Sequence, residues 1–270
     1  MIRAVFIGGS HPRHRYYFDI MRRFVSLQGA IIQGREGMIP EPPQGLERRD
    51  LENWRRHFEE RDAVEKKIFG NPAPLTCETL NLENINTREA AEFIWHYQPN
   101  LVLVFGCGMI KKPLIDALPE DTINLHLGLS PRYRGAATLF WPFYFLEPNY
   151  AGCTFHRITR EPDAGEIMHQ CKPSLLKGDG IHNVSARAVV QAANDMAVLL
   201  NERSKGEQWK WKKQRNTGKC FLSTDFRAQH LRMIYDVYDN KISDKYLEGK
   251  INPPEPVLFR ENLFDANNIT

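Results

Sequence analysis

The chain is poor in the features that would make several function classes easy to assign. Its five cysteines, Cys77, Cys107, Cys153, Cys171 and Cys220, are scattered over 270 residues, and no two stand as C-x-x-C. An odd, dispersed set without an export signal argues against a disulfide framework or a zinc site and fits reduced thiols in the cytoplasm. No apolar run approaches the roughly 18–20 residues of a membrane span. Met1–Gly9 is too short for a signal peptide and reads as a first strand. Low-complexity tracts are missing, so disorder does not dominate. The strict G-x-G-x-x-G is missing as well, which leaves an ordinary dinucleotide site unsupported. The formal charge of +3 is too small to argue for a nucleic-acid partner by itself.

What is present is enough for one sizeable core: 42% of the residues are hydrophobic. Ala4–Gly8 has the pattern of a buried strand and runs into Gly8-Gly9-Ser10. Tyr17, Ile20, Met21, Phe24 and Val25 then recur at helical spacing, with Gly29 suited to the helix end and Ala30–Gln33 to a second strand. A Pro- and Gly-rich loop over 36–48 leads to a highly charged helix over about 49–69, with Leu51, Trp54, Phe58 and Ile68 on one side. That helix reads as a mostly solvated face, with a flap over the site as the alternative. Thr87 can cap a helix carrying Ala90, Phe93, Ile94 and Tyr97. Leu101–Phe105 is a fully buried, central parallel strand, ended by Gly106-Cys-Gly108. A short helix over about 112–117, a strand Thr122–His126, a strand Ile167–Cys171 and a long helix over about 182–202 complete the main part.

The alternation predicts an α/β fold: a Rossmann-like, mostly parallel sheet with helices on both faces. Residues 1–205 form the main domain and 206–270 a small α+β extension. In that extension Gln208–Lys212 alternates aromatic and basic residues as an edge strand or dimer-forming hairpin would. Asp225 can cap a final helix with Leu231, Ile234, Tyr235 and Tyr238 inward, and an extended tail starts at Pro253. In such sheets, sites lie at the carboxyl ends of the strands. Gly8-Gly9-Ser10, Gly106-Cys-Gly108 and Asn124-Leu-His126 all fall there, on one rim.

The densest chemistry is Asn124-Leu-His126, followed by the Pro131-Arg-Tyr-Arg-Gly135 turn. Downstream lie Thr154-Phe-His156 and Asp163-Ala-Gly-Glu-Ile167. An amide, an imidazole and a carboxylate are the groups needed to move an acyl unit onto an amine. The amide bonds the developing oxyanion, the imidazole handles the proton and the carboxylate orients the imidazole.

These motifs, in this order, resemble the folate-dependent formyltransferase family, whose members pass the formyl group of 10-formyltetrahydrofolate to an amine. The resemblance covers roughly residues 1–205 and is densest over 101–170. It implies a catalytic domain over 1–205 with Asn124, His126 and Asp163 as the catalytic trio. It also implies a pterin site made of main chain, over Phe105, Gly106, Cys107, Met109 and Ile110 on one side and Arg160, Glu161 and Asp163 on the other. Asn124 and His126 would hold the oxyanion, His126 would take the amine proton, and Asp163 would orient His126 or relay the proton through water. No metal is expected.

Within the family, methionyl-tRNA formyltransferases carry a C-terminal barrel, for which the 65 residues after position 205 are too few. Glycinamide ribonucleotide formyltransferases stop near the end of the shared domain, and formyltetrahydrofolate deformylase carries a regulatory domain in front of it. The architecture is most similar to the sugar N-formyltransferases, which act on nucleotide-linked amino sugars for surface polysaccharides such as O-antigen. The expected partners are therefore two small molecules and a second copy of the chain, in a homodimer, with neither nucleic acid nor membrane. Ser10, His11, Arg13 and His14, in a loop at a helix N-terminus, are candidates for the acceptor's phosphates, and Arg132 and Arg134 are candidates either to clamp phosphate or to fix the loop. His156 is read as a packed or supporting group, and Cys107 as a small hydrophobe.

Overall fold

The computed structural model describes residues 1–34, 37–71, 74–215 and 218–260. In chain order the elements are β1 (Arg3–Gly9), α1 (Pro12–Met21), β2 (Ser26–Gln33), α2 (Arg48–Phe69), β3 (Glu78–Leu82), α3 (Arg88–Tyr97), β4 (Leu101–Phe105) and α4 (Leu114–Ala117). They continue with β5 (Thr122–His126), β6 (Tyr133–Gly135), α5 (Trp141–Tyr144), β7 (Cys153–Arg157), β8 (Ile167–Cys171), α6 (Ile181–Ser204), β9 (Lys219–Phe221) and α7 (Ile242–Leu247). Seven strands form one sheet in the order β3-β2-β1-β4-β5-β7-β8. The run from β3 to β5 is parallel, and β7 is antiparallel to both β5 and β8.

Alternation along the central strands makes two cores. Ala4 and Phe6 of β1 and Leu101, Leu103 and Phe105 of β4 face α1, α2 and α6. Val5, Ile7, Val102 and Val104 face α3 and α4 with Ile94 and Leu114. Helices thus cover both faces, as the alternating pattern predicts. Phe6, Phe18, Phe105 and Tyr17 are almost wholly buried, and each such side chain contributes on the order of 1.5–3 kcal/mol. Thr87 caps α3 as expected, its Oγ1 accepting from the Ala90 N–H at 3.2 Å.

Several expectations need correction. Gly29 does not end a helix: α1 stops at Met21, and Gly29 lies inside β2. The ring of Phe93 packs over it so closely that a Cβ there would sit 2.7 Å from the ring edge. β3 was not foreseen, because a partly exposed edge strand lacks a full apolar run. Gln208–Lys212 is not a strand; one bridge joins Lys212 to Ile167, while Arg203 and Arg157 stack over Trp209 and Trp211. The final helix is an irregular helical stretch over 228–237 with Leu231, Ile234 and Tyr235 buried, and Asp225 caps its own preceding turn. α7 was missed. Part of the tail expected after Pro253, from residue 261 on, and residue 36 of the expected loop lie outside the described residues.

The charged helix also differs from its expected role. The buried side of α2 carries Asp50, Asn53, His57 and Glu65 beside Trp54, Phe58 and Phe69. The stretch 228–240 holds it in place. Arg232 grips Asp50 at 2.6 Å, Asp236 accepts from Arg49 and Asn53, Asn240 donates to Glu60 at 2.8 Å, and the Tyr235 hydroxyl meets His57 Nδ1 at 3.0 Å.

Candidate active site

β5 delivers Asn124 and His126 to the carboxyl rim, two residues apart and therefore on one side of the strand. The antiparallel register sets His156 of β7 directly opposite Asn124. Asp163 arrives from the β7–β8 connection with φ at 49°, a left-handed backbone that a non-glycine residue adopts at a cost and that occurs preferentially at functional sites.

These four side chains meet. His156 Nε2 lies 3.0 Å from Asn124 Nδ2 and 3.3 Å from Asp163 Oδ1. His126 Nδ1 lies 3.3 Å from Asp163 Oδ2, which also accepts the Gly135 N–H at 2.8 Å. The far nitrogen of each ring faces a main-chain carbonyl at 2.8 Å, His126 Nε2 that of Tyr133 and His156 Nδ1 that of Arg157. A carbonyl only accepts, so those far nitrogens carry the protons. In the neutral state both nitrogens facing Asp163 hold lone pairs, and Asn124 donates one amide hydrogen to His156. Its other hydrogen is left for the cavity.

Burial lowers the pKa of His126 against the pull of the Asp163 carboxylate, so the ring is neutral near pH 7. Burial alone would raise Asp163. The positive charge and N–H groups that the neighbouring imidazoles offer in their protonated form, with the Gly135 N–H, outweigh it and hold the carboxyl far below its usual range. The group at rest holds an ionised Asp163 carboxylate beside a neutral His126 ring, ready to stabilise a proton arriving on that ring.

The group lies on the wall of a cavity of about 640 Å³. Phe105, Gly106, Cys107, Met109 and Ile110 line it, and Glu161, Pro162 and Asp163 line it too. The two main-chain segments expected around a flat pterin therefore share one cavity, whereas Arg160 stands outside its lining. Gly106, at φ 77°, gives room to His14, whose ring overlaps the place a Cβ would take. Of the residues expected at the acceptor, Arg13 and His14 line the cavity. Ser10 and His11 do not, and His11 Nδ1 instead meets Arg13 at 3.0 Å. Arg132 is turned to Glu147 and half exposed, and Arg134 is buried behind β6 toward Glu161; neither lines the cavity.

Sequence reasoning named no residue on one whole side of the cavity, although it offered the charged helix as a flap over the site. His57, Arg61 and Glu65 of α2, one turn apart, line it, as do His182 and Ser185 at the start of α6. The spacing i, i+4, i+8 was the available signal; it marks one helix face without saying what that face meets.

A family model described as formyl transferase matches residues 57–199. The chain is 23% identical to the methionyl-tRNA formyltransferase of Thermotoga neapolitana over 99% of its own length and 81% of that enzyme. Across the first such enzymes that match, the chain spans 59% to 81% of their length. Among solved structures, a sugar N-formyltransferase from Shewanella sp. FDAARGOS_354 superposes with a TM-score of 0.54 at 14% identity, covering 87% of each chain. Glycinamide ribonucleotide transformylase 1 from Symbiobacterium toebii gives 0.52 at 20% identity, covering 80% of this chain and 95% of that one. At these identities the structures speak for the fold.

Proposed function

The chain belongs to the formyl transferase family, and from that membership we propose that it transfers the formyl group of 10-formyltetrahydrofolate to the amine of a nucleotide-linked amino sugar. The observation that carries formyl transfer is the joined group of Asn124, His126, His156 and Asp163 on a cavity wall between two main-chain segments. Those segments, 105–110 and 161–163, suit the flat, amide-like edge of a pterin.

The acceptor's amine lone pair forms a bond to the formyl carbon, and the carbonyl oxygen becomes an oxyanion. The free amide hydrogen of Asn124 is directed at that oxygen; one such donor is worth roughly 3–4 kcal/mol of barrier. The amine must then lose a proton, and N10 of the folate must gain one as its bond to the formyl carbon breaks. His126 Nδ1 is the basic position of its ring, and Asp163 stabilises it once it is charged. The same pair then returns the proton to the leaving nitrogen, directly or through water, and the sum is amine plus formyl donor to formamide plus tetrahydrofolate.

The choice of acceptor rests on the polar, aromatic-walled part of the cavity beside α2 and α6. A second reading, transfer to methionyl-tRNA, draws on the names of the sequence relatives. Release of tetrahydrofolate is the test, measured with a panel of nucleotide-linked amino sugars, with methionyl-tRNA and with no acceptor. Turnover with an amino sugar is expected. Turnover with methionyl-tRNA alone would overturn the sugar reading, and turnover with no amine would make the protein a hydrolase.

A further inference from the structure

The α2 side of the cavity is built from a different chemistry than the formyl-transfer wall. His57 and His182 stand with ring centroids 4.4 Å apart, at the middle of α2 and the first turn of α6. The Nε2 of His182 is buried and has no hydrogen-bond partner among the described residues. The residue as a whole is 7% exposed. Glu65, two turns further along α2 than His57, accepts from Arg13 at Oε1 over 2.6 Å, while Oε2 is buried without a partner among the described residues. Both residues line the same cavity.

We propose that this chamber, between α2 and the start of α6, is a seat for a hydroxyl-bearing ring, with His182 Nε2 and Glu65 Oε2 each accepting a hydrogen bond from a ligand hydroxyl. Buried acceptors without donors are costly and rare, and a bound donor group is the economical explanation for two of them in one chamber. Their chemistry selects the ligand. A phosphate or carboxylate brings only acceptors, which suit Arg13 and Arg61 on the same cavity but leave His182 Nε2 and Glu65 Oε2 without a donor. A thioether or alkyl chain would leave both acceptors bare. A sugar ring brings donors, and its apolar face suits the rings of Phe58, Phe140 and Phe226 on the same wall. His182 is held neutral because burial and the positive fields of Arg61 and Arg13 push its pKa down to about 3, so the lone pair persists across the working pH range. The seat depends on the formyl-transfer reading only for the statement that the bound ring carries the reacting amine.

The test uses the full chain with tetrahydrofolate present and imidazole nitrogens labelled with ¹⁵N. The probes are UDP- and dTDP-linked hexoses, with and without an amino group, and L-methioninamide. A hexose conjugate is expected to shift the His182 Nε2 resonance in the direction of an accepted hydrogen bond, and L-methioninamide is not. His182→Phe, which keeps a ring but removes the acceptor, should raise the KM for the turned-over amino sugar roughly tenfold and leave that for the folate in place. The seat is overturned if no hexose conjugate moves the His182 signal, if L-methioninamide moves it equally, or if His182→Phe, folded by circular dichroism, keeps the wild-type acceptor KM. Failure of formyl transfer looks different: the signal would shift normally while tetrahydrofolate release stayed unaffected by Asn124→Ala.

Discussion

His126 and Asp163 face each other at 3.3 Å through a ring nitrogen that has no proton in the neutral state, because the Tyr133 carbonyl 2.8 Å away claims the proton on the other nitrogen. The pair is a weak contact at rest and an ion pair once His126 is protonated. It is thus a better partner for a reacting state than for the resting one, which is the condition for lowering a barrier.

The pH dependence follows with a definite sign. Burial lowers the pKa of His126, and Asp163 opposes that shift. The neutral ring is the proton acceptor, so kcat/KM should fall on acidification along a limb centred below about 6.5, the ordinary histidine value. Asp163→Asn removes the opposing charge, so the limb of its residual activity should move to still lower pH, with kcat reduced a hundredfold or more, on the order expected for general acid–base groups. An acid limb that moves upward in Asp163→Asn would contradict the assignment.

His156 joins the other members: it accepts from Asn124 at 3.0 Å and lies 3.3 Å from Asp163. Asn124→Ala should lower kcat roughly 10²–10³-fold, the effect of losing an oxyanion donor. His156→Phe leaves that donor in place but unaligned, so its loss in kcat should be smaller, about tenfold, with little change in either KM. The double variant should be no worse than Asn124→Ala by itself, because both changes remove the same function. Additive losses in steady-state kinetics would show that His156 acts independently of Asn124.

The parts of the site that local pattern controls were legible in the sequence. Asn124 and His126 end a buried strand, and the Asp-Ala-Gly turn at 163 follows another, so topology alone brings them to one rim. The contributions of α2 were not legible, because a face bearing Asp50, Asn53, His57 and Glu65 has the periodicity of a solvated surface. Only the docking of the 228–240 stretch, with partners nearly two hundred residues away, turns that face inward. Arg132 shows the converse: sequence offers it either as a phosphate clamp or as a residue that fixes the loop, and its pairing with Glu147 fits the second.

That docking predicts a coupling between the extension and the cavity. The Asp50 side chain has no exposed surface and its carboxyl is lowered by its hydrogen bonds to Arg232. Arg232→Ala would leave the carboxylate without its partner, so the thermal midpoint should drop by a few degrees or more. Because α2 also carries His57, Arg61 and Glu65, the acceptor KM should rise while the folate KM is kept. Asp50→Asn combined with Arg232→Met should recover much of the midpoint. If Arg232→Ala changed neither melting nor acceptor KM, the 228–240 stretch would not be what positions α2.

Finally, the two buried histidines of the α2 chamber link its structure to stability. Burial lowers His57 well below the ordinary value and His182 to about 3. The unfolded chain binds protons at these rings near pH 6.5 and the folded chain does not, so stability rises with pH through this window and is lost as pH falls below it. At pH 5 the loss from His182 amounts to about 2 kcal/mol. Chemical denaturation at pH 7 and pH 5 should therefore show a difference in unfolding free energy that shrinks by about that amount in His182→Phe. An acid slope unchanged by the substitution would mean that His182 is protonated in the folded protein, and a protonated ring could not accept a hydrogen bond at Nε2.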